Sequence, residues 1–274
     1  MKKLDGKVAY VTGAGNGIGR AVALKLASEG AKLVINDLEE NPAIAVAEEI
    51  SNDGGEAVTV VGSVTATDFG DRFIQAGLDQ FGAVDIIVNN AGYTWDSMIH
   101  SMTDEQYDAM LDVHLKAPFR IARAAAAFIR PAARREAEDG REVFRKIVNI
   151  SSVAGTGGNI GQANYSAAKS GVIGLTKTMA KEWARLKVNV NCVAFGLIDT
   201  RLTEATDEKK TINVNGNEIA VGIPTKIADG IKATIPMGRA GTPAEAAGGV
   251  YLFCTPESNY ITGQTLIVGG GAVL

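Results

Sequence analysis

The feature that most constrains this chain is an alternation. Short β-branched apolar runs are each followed by a longer stretch with helical spacing. Val8-Ala9-Tyr10-Val11 reads as a buried strand, and residues 20–29 as the helix after it, stopped by Gly30. The pattern repeats with strand 32–36 and helix 43–51, strand 57–61 and helix 68–81, then strand 84–89. Thr103-Asp104-Glu105-Gln106 is a capping-box sequence and opens the next helix. Pro118 restricts Ala117 and is expected to divide that helix from one over 119–130. Strand 146–150, a long helix 164–185, strand 188–193, helix 244–254 and strand 265–268 complete the series. Strands joined by helices must run parallel, because each return to the same edge needs a crossover. The expected fold is therefore α/β: one doubly wound parallel sheet of seven strands with helices on both faces, spanning residues 1–274 as a single domain. Such sheets bind ligands beyond the carboxyl ends of their strands.

Two stretches break the rhythm. Residues 134–146 carry mixed charge and read as a solvated surface loop. Residues 202–236 are long for a connection and contain Val214-Asn215-Gly216-Asn217, whose Asn-Gly reads as a hairpin turn. A segment of that length inside a compact domain is expected to be a lid or substrate loop.

Composition narrows the class. Hydrophobic residues at 46% and charged residues at 21% over 274 positions allow a large core without disulfides or metals. No metal site is expected. The formal net charge of −4, with no basic run, argues against nucleic acid or an anionic membrane as partner. Cys192 and Cys254 lie far apart and fit reduced, buried thiols better than a bridge. The first residues, Met1 to Lys7, hold no apolar run of the signal-peptide kind, and no stretch is long enough to span a membrane. The expected location is cytoplasmic.

The first strand ends in Thr12-Gly13-Ala14-Gly15-Asn16-Gly17-Ile18-Gly19. Glycines at this spacing let the backbone approach a pyrophosphate, and the following helix offers free N–H groups and a positive dipole end. Asp37 closes the second strand, 18 residues beyond Gly19. A carboxylate there accepts the ribose hydroxyls of an adenosine and repels a 2′-phosphate. Leu38, Glu39 and Glu40 follow, with no cation, so NAD is expected over NADP. Asn89-Asn90-Ala91-Gly92 closes the fourth strand, where small residues admit a nicotinamide ribose and an Asn side chain ties loop to strand.

The chemistry rests on Ser152, Tyr165 and Lys169. Ser152 follows the fifth strand, Tyr165 lies 13 residues on, and Lys169 is one helical turn past Tyr165. A Tyr-x-x-x-Lys pair alone says little, since many exposed helices carry one. Joined to a strand-end Ser and a nucleotide loop, it reads as a proton-transfer site. The Lys cation is expected to lower the Tyr pKa, and Ser152 to hold the substrate oxygen beside Tyr165.

Together these residues resemble the short-chain dehydrogenase/reductase family, from Gly6 to about Gly271. The resemblance implies a Rossmann-type fold and hydride exchange between an alcohol or carbonyl and a nicotinamide cofactor. It implies Tyr165 as acid/base and Lys169 as holder of the nicotinamide ribose. It also assigns cofactor contacts to Gly13, Asn16, Gly17, Ile18, Gly19, Asp37, Val64, Asn90, Gly92, Ile198 and Thr200. A homotetramer is implied, with a dimer as the alternative. Three positions depart from the family pattern. Ser63-Val64 stands where Asp-Val is usual, and Phe195-Gly196 where Pro-Gly is usual, which puts the wall near the nicotinamide in doubt. His114 stands where an Asn often completes the catalytic set. It reads equally as a proton relay, which would add a group titrating near neutrality, or as a helix histidine with a structural hydrogen bond.

The runs around His114 and Gly161-Gln162-Ala163-Asn164-Tyr165 resemble members acting on 3-oxoacyl or 3-hydroxyacyl thioesters. A secondary-alcohol, polyol or steroid dehydrogenase is the alternative. A nucleotide-binding regulator without catalysis is the alternative of another class. Substrate contacts are expected from residues 93–98, 153–160 and 202–236, whose Trp95, Met98, Ile160 and Ile223 favour a partly hydrophobic small molecule.

Overall fold

Successive side chains of a strand point to opposite faces. In β1 (Val8–Val11) all four are buried. Ala9 and Val11 enter one core, Val8 and Tyr10 another. A strand apolar on both faces needs cover on both, which helices supply. The computed structural model describes residues 2–214 and 216–272. Met1 and the turn residue Asn215 lie outside the described residues.

From β1 the chain runs through α1 (Gly17–Ser28), β2 (Lys32–Asp37), α2 (Glu40–Asn52), β3 (Ala57–Val61), α3 (Phe69–Phe81) and β4 (Ile86–Asn89). Next come α4 (Asp104–Leu111), a π-helical turn (Asp112–Lys116), α5 (Ala117–Glu138), β5 (Arg145–Ser152), the short α6 (Val153–Gly157) and α7 (Ala163–Trp183). β6 (Val188–Phe195), β7 (Lys210–Val214), β8 (Asn217–Val221), α8 (Thr225–Thr234), α9 (Pro243–Cys254) and β9 (Thr265–Val268) complete it.

The main sheet has the seven strands expected, in the order β3-β2-β1-β4-β5-β6-β9, and every pair is parallel. β1 lies between β2 and β4, so the winding reverses there. A crevice opens beyond the carboxyl ends of these strands, which is where ligands bind in sheets of this kind. Under α1, α2 and α9 the core gathers Val11, Ile35, Leu26, Val250 and Phe253. Under α3, α5 and α7 it gathers Tyr10, Phe73, Ile121, Val190 and Trp183. Tyr10 is fully buried, and its hydroxyl donates to the Ala83 carbonyl at 2.9 Å. The expected capping box, Thr103 with Gln106, is formed, and so is a second, Thr242 with Glu245. Among the described residues, no helix is long and apolar enough to cross a membrane.

Several expectations are corrected. Pro118 does not divide two helices: α4, the π-turn and α5 run on without a break from Asp104 to Glu138. Ala117 N bonds to Asp112 O, five residues back. Pro118, which has no N–H to give, falls where the bonding changes from five residues to four, so its missing donor is tolerated. Residues 134–146 are a solvated loop only in part, over 139–144. The first five of them end α5, while Arg145 and Lys146 begin β5 and are buried. The guanidinium of Arg145 makes a two-pronged ion pair with Glu136, at 2.8 and 2.6 Å. Lys146 donates to Asn189 Oδ1 and Asn259 Oδ1, both at 2.8 Å, and to Ser258 Oγ at 3.1 Å. Burial still lowers its pKa to about 8. The charges of Glu136, Arg145 and Lys146 are thus paired inward, while those of Arg134, Arg135, Glu138, Asp139, Arg141 and Glu142 stay exposed.

Residues 202–236 form the expected hairpin, β7 against β8, followed by α8, which the residue pattern did not suggest. The hairpin reaches α4, where Asn217 Nδ2 donates to Glu105 Oε1 at 3.3 Å. α1 begins at Gly17 rather than residue 20, so Gly17, Ile18 and Gly19 form its first turn.

Candidate active site

The glycine loop is built by close backbone contact. Gly13 takes a left-handed φ of 61°. A Cβ on Gly19 would overlap the Gly13 carbonyl, and would lie 2.8 Å from its carbon. Only glycine fits there, and the result is a cradle at the start of α1. Asn16 is the N-cap, yet its side chain makes no capping bond and leaves the first-turn N–H groups uncovered. Asp37 is half-buried at the end of β2. One of its oxygens accepts from Gly15 N at 2.8 Å, the other from Glu39 N at 3.2 Å. The same carboxylate thus shapes the loop and faces the crevice. This cradle fits the diphosphate and ribose of a dinucleotide.

Asn90 makes the tie expected of this run. Its Nδ2 donates to Thr12 O at 2.9 Å and Gly13 O at 3.1 Å. Asn89 turns the other way and donates to Asn149 Oδ1 at 2.7 Å, binding β4 to β5. Val64 is buried in the turn after β3, while Ser63 bonds its own turn through Thr65 Oγ1 at 2.8 Å. After β6, Ile198 is buried. Thr200 lies against the glycine loop, since a Cβ on Gly17 would sit 3.4 Å from Thr200 Cγ2. Phe195, in the departing Phe-Gly pair, points into the core with Val193 and Val250 rather than toward the crevice.

Ser152, Tyr165, Lys169 and His114 are brought together. Ser152 caps α6, its Oγ accepting from Ala154 N at 3.1 Å, and its hydroxyl acts on the Tyr165 phenol. Lys169 Nζ donates to Ile150 O at 2.8 Å and lies 5.5 Å from the Tyr165 ring centre. The His114 ring meets the Tyr165 ring edge-on, with centres 5.0 Å apart. Its Nε2 bonds Tyr93 O at 2.7 Å. A carbonyl only accepts, so Nε2 carries the proton. Nδ1 is then a buried acceptor with no hydrogen-bond partner among the described residues.

The electrostatics differ from expectation. Burial pushes the Tyr165 phenol up to about 12; the Ser152 hydroxyl pulls down and the charge of Asp96 pushes up. Lys169, bound to the Ile150 carbonyl, does not overcome this, and burial lowers its own pKa to about 8. Burial, with the Lys169 charge second, holds His114 well below its ordinary value, so it adds no group titrating near neutrality.

The residue pattern missed the supports. Asn164 is buried; its Oδ1 accepts from Tyr165 N at 2.8 Å and its Nδ2 donates to Trp95 O and Gln106 O. Ser151 Oγ donates to Lys169 O at 2.7 Å. Adjacency to Tyr165 was the signal available for Asn164.

The family model described as "short chain dehydrogenase" matches residues 7–211. The chain belongs to this family. It is accordingly a nicotinamide-dependent oxidoreductase of the short-chain dehydrogenase type. The chain is 42% identical over 276 residues to a 3-oxoacyl-[acyl-carrier-protein] reductase of Synechocystis sp., covering 100% of both chains. It is 40% identical to the Vibrio cholerae protein named 3-oxoacyl-[acyl-carrier-protein] reductase FabG, covering 98% of each. It is also 38% identical to an uncharacterized oxidoreductase of Mycobacterium tuberculosis, covering 98% of this chain and 97% of that one.

Proposed function

We propose that this short-chain dehydrogenase interconverts a 3-oxoacyl thioester and its 3-hydroxyacyl form with NAD(H). The thioester reading is supported by the names of full-length relatives. The preference for NAD is supported by Asp37, a half-buried carboxylate beside the glycine cradle with no cation following it. Gly13, Asn16, Gly17, Ile18, Gly19, Asp37 and Val64 hold the adenosine and diphosphate half. Asn90, Gly92, Lys169, Ile198 and Thr200 hold the nicotinamide half. Bound there, the cofactor supplies or accepts a hydride.

The observation that carries the catalytic reading is the Tyr165 ring with Lys169 Nζ 5.5 Å from its centre and the His114 ring edge-on to it at 5.0 Å. Ser152 orients the substrate oxygen. Tyr165 gives its hydroxyl proton to that oxygen as a carbonyl becomes an alcohol, and takes it back in reverse. Lys169 fixes the ribose and faces the phenol with positive charge. His114, neutral, offers Nδ1 as the acceptor of a proton relay behind the pair. The segment 202–236, with its hairpin against α4, acts as the substrate lid, and Met98 and Ile160, both exposed, supply apolar contact. A homotetramer is the assembly we expect. Two buried, unbridged thiols fit a cytoplasmic setting.

The test is turnover of a 3-oxoacyl thioester with NADH and with NADPH, alongside simple ketones. Tyr165→Phe should cut kcat by about 10²–10⁴-fold while cofactor binding persists. Retained turnover in that variant, or strong preference for NADPH, removes the acid/base or the NAD reading respectively. Equal turnover of simple ketones removes the thioester reading.

A further inference from the structure

Lys169 is held at three points by one short stretch of chain, Ile150 to Gly155. The Ile150 carbonyl accepts from its Nζ at 2.8 Å. The buried Ser151 hydroxyl donates to its backbone carbonyl at 2.7 Å. Gly155 lies directly on its main chain. A Cβ added at Gly155 would stand 2.6 Å from Lys169 C, 2.8 Å from Lys169 O and 2.8 Å from Lys169 Cβ. Non-bonded carbons stay about 3.5–4.0 Å apart. The close approach therefore exists only because position 155 has no side chain.

The same stretch carries Ser152, which ends β5 and caps α6. Gly155 follows in the first turn of α6, and α6 packs along α7. The spacing of α6 and α7 at Gly155 thus sets the spacing of Ser152 and Lys169, and Tyr165, one turn back on α7, moves with Lys169. The backbone at Gly155 is helical, with no positive φ. Alanine could adopt it and is the better helix former. Packing on Lys169, not backbone conformation, is what demands glycine there. Farther along, α7 is tied to β5 by a separate link, Asn149 Nδ2 to Thr176 Oγ1 at 2.9 Å. The rest of the helix is anchored by other means, and the three contacts act locally on Lys169.

On the reading that Lys169 holds the nicotinamide ribose, we propose that Gly155 and Ser151 are positioning residues that set the reach of its ammonium. Gly155 lets α6 and α7 touch, and Ser151 ties the Lys169 carbonyl to β5. An ammonium has three N–H groups. One goes to the Ile150 carbonyl, which leaves two for the ribose hydroxyls. Their aim depends on where the Lys169 main chain sits. A displacement of about 1 Å at a group of this kind is worth up to about 10²-fold in rate.

Gly155→Ala forces α6 and α7 apart by about 1 Å at Lys169. Per folded active site, kcat should fall about 10- to 100-fold, with weaker NADH binding in fluorescence titration. Ser151→Ala removes the tie without adding volume, and tests the same point where Gly155→Ala does not fold. Its NADH dissociation constant should rise about three- to tenfold, the worth of one hydrogen bond. Two controls lie on the same helix. Gly174→Ala adds a carbon with nothing within 4 Å of it, and should change neither constant. Thr176→Val breaks the separate link to Asn149, and should lower the melting temperature while leaving NADH affinity as in the wild type. A lower melting temperature with unchanged NADH affinity and kcat in Ser151→Ala and Gly155→Ala marks a merely structural role and overturns the proposal. So does an equal loss of NADH affinity in Thr176→Val. Lys169→Met tests the reading beneath. Wild-type NADH affinity in that variant overturns the ribose role of Lys169 itself. Weakened binding there, with wild-type binding in Ser151→Ala and Gly155→Ala, overturns only the roles of Ser151 and Gly155.

Discussion

Gly92 and the imidazole of His114 occupy adjoining space with nothing to spare: a Cβ on Gly92 would lie 2.6 Å from His114 Nδ1 and overlap Cε1. Gly92→Ala must push the ring off the Tyr93 carbonyl or lift the loop from Thr12. We expect it to cost about 1–3 kcal/mol and most of the activity. Adding His114→Ala should recover much of the melting temperature, because the obstructing ring is gone. Calorimetry of the single and double variants checks this. No recovery in the double variant would show that the strain lies elsewhere.

His114→Asn should keep most activity, since an amide can also bond the Tyr93 carbonyl and offer an acceptor. It should change the acid behaviour more. Burial holds the His114 pKa well below 6.5 in the folded protein. The unfolded chain therefore binds the proton first as pH falls, and stability drops below about pH 6.5 at up to ~1.4 kcal/mol per pH unit. Denaturant melts at pH 7 and pH 5.5 should show that loss in the wild type and a smaller one in His114→Asn. His114 should contribute no limb near pH 6.5 to the rate profile.

Asp37→Asn separates two duties of one carboxylate. The amide oxygen can still accept from Gly15 N, so the loop should hold. The charge that repels a 2′-phosphate is lost. Discrimination against NADP should relax by roughly 10- to 100-fold, as expected for a charged hydrogen-bonding group. Fluorescence titration with NADH and NADPH reads it. An unchanged ratio of dissociation constants would assign selectivity to another residue.

Glu136→Gln leaves the buried guanidinium of Arg145 without its counter-charge. Loss of one partner of such a pair costs about 3–5 kcal/mol. The Glu136 carboxyl is held below its usual value by the Arg145 bond. Its stabilisation is therefore present above the unfolded value near 4.3 and is lost as pH falls through the folded one. The gap in melting temperature between wild type and variant should be large at pH 7 and close toward pH 3.

The order of strands and helices was legible because both periods were present. Val8 to Val11 is apolar throughout and reads as a strand covered on both faces, which it is. The site was legible where backbone demands glycine or where reactive side chains stand at helical spacing, as with Gly19 and the pair Tyr165 and Lys169. Lost to view were relations between distant side chains. Nothing local in residues 134–146 says that Glu136 and Arg145 will face each other inside the protein. Nothing beside Pro118 announces a wide turn able to absorb its missing donor. The proton affinity of Tyr165 depends on relations of the same kind, since how far the ring is covered is decided by segments far along the chain.

The wide turn at Asp112–Lys116 has a further consequence. It makes α4 and α5 two lengths of one rod set out of phase, α4 packed on α7 and α5 on α3. In an unbroken α-helix each residue advances the rotation by about 100°. Deleting one residue here would therefore leave the rod intact and yet turn either His114 away from Tyr165 or the face bearing Ile121 and Ile129 away from the sheet. Point substitutions in this stretch alter the chemistry by degrees, whereas a change of a single codon in its length would uncouple the proton site from the core in one step.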